Sequence, residues 1–172
     1  MAHRTRPATA SGSCMAVEIE RKFLATHAVL EHCRFGLSIV QGYLYTDAEN
    51  TVRVRRAGDR TFFAWKGPRC GARREEIEHE VSPETGAAMF AALRPDRCLA
   101  KTRYRVEHAG AVWEVDVFGG DLSGLILAEI ELTHEDAAVI LPPWAGPEVT
   151  TDERYRNSRL ALRAGSPILL AA

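Results

Sequence analysis

Apolar and polar residues alternate with period two along most of this chain. In residues 17–24, Glu18, Glu20 and Lys22 fall on one strand face, while Val17, Ile19 and Phe23 fall on the other. The same alternation predicts strands over residues 17–24, 37–45, 51–57, 60–67, 73–81, 99–108, 112–118 and 125–133. Gly58-Asp59 and Ala109-Gly110 between them read as tight turns, and residues 67–72 as a Gly/Pro/Arg loop. Helical signals are fewer. Thr26 can cap a short helix over 27–33, and Ser82-Pro83 opens one running to about 93. A third, over about 152–163, follows the loop at Pro142-Pro143-Trp144. Seven or eight strands with short helices predict an α+β, mostly antiparallel domain, an open sheet or a closed barrel.

Acids and bases fall in segregated pairs at the spacing that places both on one strand face. The acidic pairs are Glu18/Glu20, Glu76/Glu78, Glu114/Asp116 and Glu129/Glu131; Arg53/Arg55 and Lys101/Arg103 are basic, with Lys66 in the same phase on its strand. Glu78/Glu80 is an alternative register for the second acidic pair. A single such pair describes a solvated sheet face. Repeated on strands whose other face carries Phe63, Trp65, Trp113 and Ile130, the pattern also fits a barrel whose charged side points inward. A charged lumen is costly unless its ions are paired or bind something. Carboxylates suit Mg²⁺ or Mn²⁺, and Arg and Lys suit phosphate oxygens. A metal-bound polyphosphate needs both.

Composition narrows the field. The chain has 172 residues and a formal charge of −1, enough for one domain with a core and without the basic excess that nucleic acid or an anionic membrane selects. The longest apolar run, near Leu125, is broken by Glu129 and Glu131 and is too short to span a bilayer. Cys14, Cys33, Cys70 and Cys98 form no zinc-type spacing and are expected as reduced thiols in a cytoplasmic protein. His79, His108 and His134 are scattered and expected as surface or satisfied side chains rather than ligands. Residues 1–14 lack an apolar signal region and are expected to be a disordered leader, or an extension upstream of a start at Met15, ahead of a single domain over 15–172. No P-loop spacing is present.

Together these segments resemble the CYTH superfamily, the triphosphate tunnel metalloenzymes. The resemblance rests on the ExExK run Glu18-x-Glu20-x-Lys22, Gln41-Gly42-Tyr43-Leu44, Arg53-Val54-Arg55, Trp65-Lys66-Gly67 and Arg74-Glu75-Glu76-Ile77-Glu78. It continues through Lys101-Thr102-Arg103, Glu114-Val115-Asp116, Glu129-Ile130-Glu131 and the late Arg154-Tyr155…Asn157…Leu160-Ala161 segment, in the family's order. It implies an eight-stranded closed barrel with short helices packed outside and a triphosphate and divalent metal inside. Glu18, Glu20, Glu76, Glu78, Glu129 and Glu131 then look like the acids that hold metal and orient water. Asp116 is carried over as a further acid. Lys22, Arg53, Arg55, Lys66, Lys101 and Arg103 look like the phosphate-binding set, with Tyr43 as a lining hydroxyl. Glu18, Glu20 and Lys22 are the expected catalytic group.

The resemblance further implies a hydrolase cleaving a phosphoanhydride bond with Mg²⁺ or Mn²⁺. The short single-domain form is most similar to the bacterial inorganic triphosphatases, which makes tripolyphosphate the expected substrate. The alternatives are a class IV-type adenylate cyclase acting on ATP, a thiamine triphosphatase, and a polyphosphate- or nucleotide-binding module without turnover.

Overall fold

A computed structural model describes residues 16–164. Nine strands form one antiparallel sheet: β1 Ala16–Ala25, β2 Leu37–Thr46, β3 Thr51–Ala57, β4 Arg60–Cys70, β5 Arg73–Val81, β6 Cys98–His108, β7 Ala111–Phe118, β8 Ile126–Glu131 and β9 Ala145–Glu148. Their order is β5-β4-β3-β2-β6-β7-β8-β1-β9, and β1 also pairs with β5. That extra pairing, Ala16↔Glu76 through Ile19↔Arg73, closes an eight-stranded barrel. The short β9 lies beside Phe23 and Ala25, where β1 has moved away from β5. The eight predicted strands are the eight barrel strands; β9, hidden in a Pro/Gly stretch with no alternation, was expected as loop.

The residues expected as a loop after Gly67 extend β4 to Cys70, so only Gly71 and Ala72 turn the chain. The helix expected over 27–33 is a 3₁₀ turn at His27–His32, and Thr26 makes no side-chain cap. Helix α1, Pro83–Ala91, starts as expected: the Ser82 hydroxyl accepts from the Thr85 amide at 3.2 Å, and Pro83 occupies the first turn. It lies on β3 and β4, where a Cβ on Gly86 would come within 2.6 Å of the Thr61 methyl. The third predicted helix is shorter than expected, a 3₁₀ turn at Glu153–Tyr155 and then α2, Asn157–Arg163.

Two apolar clusters hold the barrel. One covers its outside: Phe23, Val106, Trp113, Val115, Ala128 and Ile130 pack under Val29 and Trp144, with Trp113 edge-on to Phe23 and to Trp144 at 5.5 Å. Irregular segments, rather than long helices, provide much of this cover. The other lies inside. Leu24, Leu99, Phe118 and Leu127 share strand phase with the charged residues but sit at one end of the barrel, against Leu160 and Ala161 of α2. Along β1 the inward face therefore runs Glu18, Glu20, Lys22, Leu24, from charged to apolar. This apolar cluster plugs the lumen at α2, whose first residues border the charged part.

Among the described residues no helix is long and apolar enough to cross a membrane. Cys33, Cys70 and Cys98 are free thiols. Cys14 and the expected leader lie outside the described residues.

Candidate active site in the barrel lumen

Seven strands supply charged side chains to one cavity of about 510 Å³ inside the barrel. Glu18, Glu20 and Lys22 come from β1, Arg53 and Arg55 from β3, Lys66 from β4, and Glu76 and Glu78 from β5. Lys101 and Arg103 come from β6, Glu114 from β7, and Glu129 and Glu131 from β8. At several positions neighbouring strands contribute unlike charges, and cross-strand pairs form there by register. Lys22 stands opposite Glu129, Lys66 opposite Glu76, and Arg103 opposite Asp116.

The ion pairs follow. Lys22 Nζ lies 2.8 Å from Glu129 Oε1, and Arg103 Nη2 is 2.8 Å from Glu129 Oε2. Arg53 Nη2 is 3.1 Å from Glu76, and Arg55 Nη2 is 2.7 Å from Glu78. Lys66 bridges Glu18 and Glu76, lying 3.3 Å from the latter. Burial opposes ionisation of Glu129, but the charges of Lys22, Arg103 and Lys101 outweigh it and hold its carboxyl far below the ordinary range. Burial, and then a hydrogen bond with Glu76, push the Glu18 carboxyl up. For Glu76, burial is outweighed by that same contact and by Lys66 and Arg53, so its pKa falls. Glu18 and Glu76 share Lys66 as a common cation.

Of the fourteen residues singled out in the sequence, thirteen line this cavity; Asp116 is the exception. Its carboxylate is fully buried deeper in the barrel, beneath Arg103, which holds it through Nε at 2.6 Å and Nη2 at 2.7 Å, and Lys101, which also pairs with it. Asp116 anchors two cations from behind and does not present an oxygen to the lumen. Glu76/Glu78 is the lumen pair; Glu80 stands at the exposed rim, paired with Arg60. Tyr43 is buried, and burial pushes its hydroxyl pKa well above the ordinary value. Its oxygen accepts a 2.5 Å hydrogen bond from Gln41 Nε2.

Sequence reading missed Gln41, Thr51, Arg69, Arg74, Arg105 and Asn157, which also line the lumen. Gln41 was in view within the Gln-Gly-Tyr run, and Arg74 as a spacing marker for Glu76. Among the basic residues of the last helix, Arg156 is the one that reaches the lumen.

Lys101 carries a titration that function should report. Burial, then repulsion from Arg103, bring its ammonium down to about 8 despite Asp116. It is charged below that pH and loses its charge above it. Anion capture by the free protein should therefore weaken as pH rises through about 8. In kcat/KM against pH with a triphosphate, a falling alkaline limb is expected there, displaced upward in Lys101→Arg. An unchanged limb in that variant would assign the titration elsewhere.

The donor set fits a hard divalent cation. All the carboxylates are oxygen ligands, and Glu18 and Glu76 are like charges that share one Lys66, an arrangement a further cation would stabilise. Among the described residues no three carboxylates already converge as a metal cage; Lys and Arg stand between them.

A closed antiparallel barrel with acids and bases interleaved along its lumen defines a tunnel class of domain. Residues 16–162 match the CYTH domain, and the chain belongs to that family. It is 38% identical over 146 residues to an inorganic triphosphatase of Acetivibrio thermocellus, covering 85% of this chain and 94% of that one. It is 39% identical over 156 residues to an inorganic triphosphatase of Nitrosomonas europaea, covering 84% and 97%. A crystal structure of an inorganic triphosphatase superposes with a TM-score of 0.59 at 36% identity, over 88% of this chain and 97% of that chain.

Proposed function

We propose that this chain is a metal-dependent inorganic triphosphatase that hydrolyses tripolyphosphate in the charged lumen. One observation carries the reading: six lumen cations, Lys22, Arg53, Arg55, Lys66, Lys101 and Arg103, are each already paired with a carboxylate. These six cations are neutralised by the carboxylates around them. The lumen can exchange partners all at once, the cations turning to phosphate oxygens and the acids to metal. The named relatives, both inorganic triphosphatases at 38% and 39% identity, support the choice of substrate.

In this reading the guanidinium and ammonium groups hold the chain of phosphates extended and offset charge that builds on its oxygens, the main source of catalysis in phosphoryl transfer. Glu18, Glu20, Glu76, Glu78, Glu129 and Glu131 would hold Mg²⁺ or Mn²⁺. When bound, the cation supplies charge neutralisation at the phosphate oxygens. A lumen carboxylate orients water in line with the terminal phosphorus and takes its proton. The bond from that phosphorus to the bridging oxygen breaks, and pyrophosphate leaves. Asp116 keeps Lys101 and Arg103 aimed inward. The plugged α2 end excludes water behind the substrate. A cytoplasmic location and a single domain over 15–172 belong to the same proposal.

The test is product analysis with tripolyphosphate, pyrophosphate, ATP and thiamine triphosphate, each with Mg²⁺ or Mn²⁺. Phosphate release fastest from tripolyphosphate is expected. Cyclic AMP from ATP would assign a cyclase, and tight binding without release would assign a binding module; either result overturns the proposal.

A further inference from the structure

The six paired cations do not exhaust the positive charge in the lumen. Arg69, Arg74 and Arg156 also line it, and their placement depends on an irregularity in β4. Lys66 pairs with Glu76, but Arg69 pairs with Arg74, so β4 holds one extra residue between them. In a regular strand Arg69 would face opposite to Lys66; the bulge at Gly67-Pro68 turns it to the same side. Gly67 is needed there, because a Cβ would come within 2.8 Å of the Trp65 ring.

These guanidiniums are committed differently from the other six. Arg74 donates to the carbonyls of Gly67 at 2.6 Å and Lys66 at 3.3 Å and to the Thr51 hydroxyl at 3.2 Å. Among the described residues Arg69 has no ion pair, and its buried Nε has no hydrogen-bond partner. Among the described residues Arg156, at the head of α2, reaches only Glu153 at 3.1 Å, and its Nε is likewise buried and unpartnered. Burial first, and then Arg69 and Arg156, bring the Arg74 pKa down to about 10, with Glu18 the nearby carboxylate acting against them. Arg69 also acts on Lys22. Three like charges so grouped repel one another, and a dianion among them would remove the repulsion and satisfy the idle donors.

We propose that Arg69, Arg74 and Arg156 form an additional phosphate subsite beside Lys22 that accepts the end phosphate of a linear inorganic polyphosphate one unit longer than tripolyphosphate. A terminal phosphate carries close to two charges at neutral pH and three acceptor oxygens, the ligand that a guanidinium cluster matches. The inference deepens the triphosphatase reading and rests on it for ligand class. It adds chain-length selection, set by a bulge.

The test is calorimetric titration of pyrophosphate, tripolyphosphate and tetrapolyphosphate into the full chain, in EDTA so that no turnover intervenes. The native protein should bind tetrapolyphosphate about tenfold more tightly than tripolyphosphate. In Arg69→Gln that ratio should fall to about one, and Arg69→Lys should restore part of it. Thermal melts of each variant confirm the fold. An equal ratio in Arg69→Gln and the native chain, or no preference for tetrapolyphosphate in the native chain, overturns the subsite. Absence of phosphate release with Mg²⁺ while the ratio behaves as stated would refute the hydrolase reading and leave the subsite standing.

Discussion

The Asp116→Asn substitution is expected to lower the melting temperature by roughly 10 °C and to remove activity as well. Asp116 is fully buried and accepts two hydrogen bonds from Arg103 while pairing with Lys101. Removing its charge leaves two buried cations facing each other with Glu129 as their main remaining counter-ion. Breaking a buried pair from one side costs about 3–5 kcal/mol, and about 2–4 °C is lost per kcal/mol in a domain of this size. Lys101 and Arg103 would also lose their aim into the lumen. If Asp116 were instead a lumen acid holding metal, the same substitution would spare or raise stability and abolish activity alone. A thermal melt in metal-free buffer separates the two.

Glu20→Gln should behave in the opposite way, with activity lost and the fold intact. Glu20 lines the lumen but is loosely held: its nearest cation is Lys22 at 3.7 Å, and its strand partner across the barrel wall is another acid, Glu131. Glutamine keeps the shape and removes one charge from a like-charged pair, so the melting temperature should stay level or rise. Metal affinity should fall, because a carboxylate is the better ligand for a hard cation. Turnover should fall by roughly 10²–10³-fold, the usual loss when one element of electrostatic stabilisation is deleted.

The two variants show which parts of the site were legible in sequence. Period-two alternation identifies the lumen face wherever strands are regular, and so Glu20, Arg53, Lys101 and Glu129 could be picked out together. Depth along the barrel is not in that pattern. Asp116 shares its phase with Glu114, yet one lies behind Lys101 and Arg103 and the other lines the cavity. Leu24, Leu99 and Leu127 share phase with charged residues too, and only the position of α2 makes their end of the lumen an apolar plug. Arg69 was hidden because a bulge inverts the alternation. Closure itself depends on four residues at the start of β1 meeting β5, a long-range pairing that no local signal encodes. Strand β9 follows the same rule: its Ala-Gly-Pro-Glu sequence has low strand propensity and is held by the free edge of β1.

The central claim is that the interleaved charges form one catalytic site for a metal-bound triphosphate. Its most direct test is phosphate release from tripolyphosphate by the native chain and Glu20→Gln, side by side, with Mg²⁺ and with EDTA. The account predicts release by the native chain only when metal is present, and a loss of roughly 10²–10³-fold in the variant at an unchanged or higher melting temperature. Equal release by the two proteins, or release by the native chain undiminished in EDTA, would contradict it.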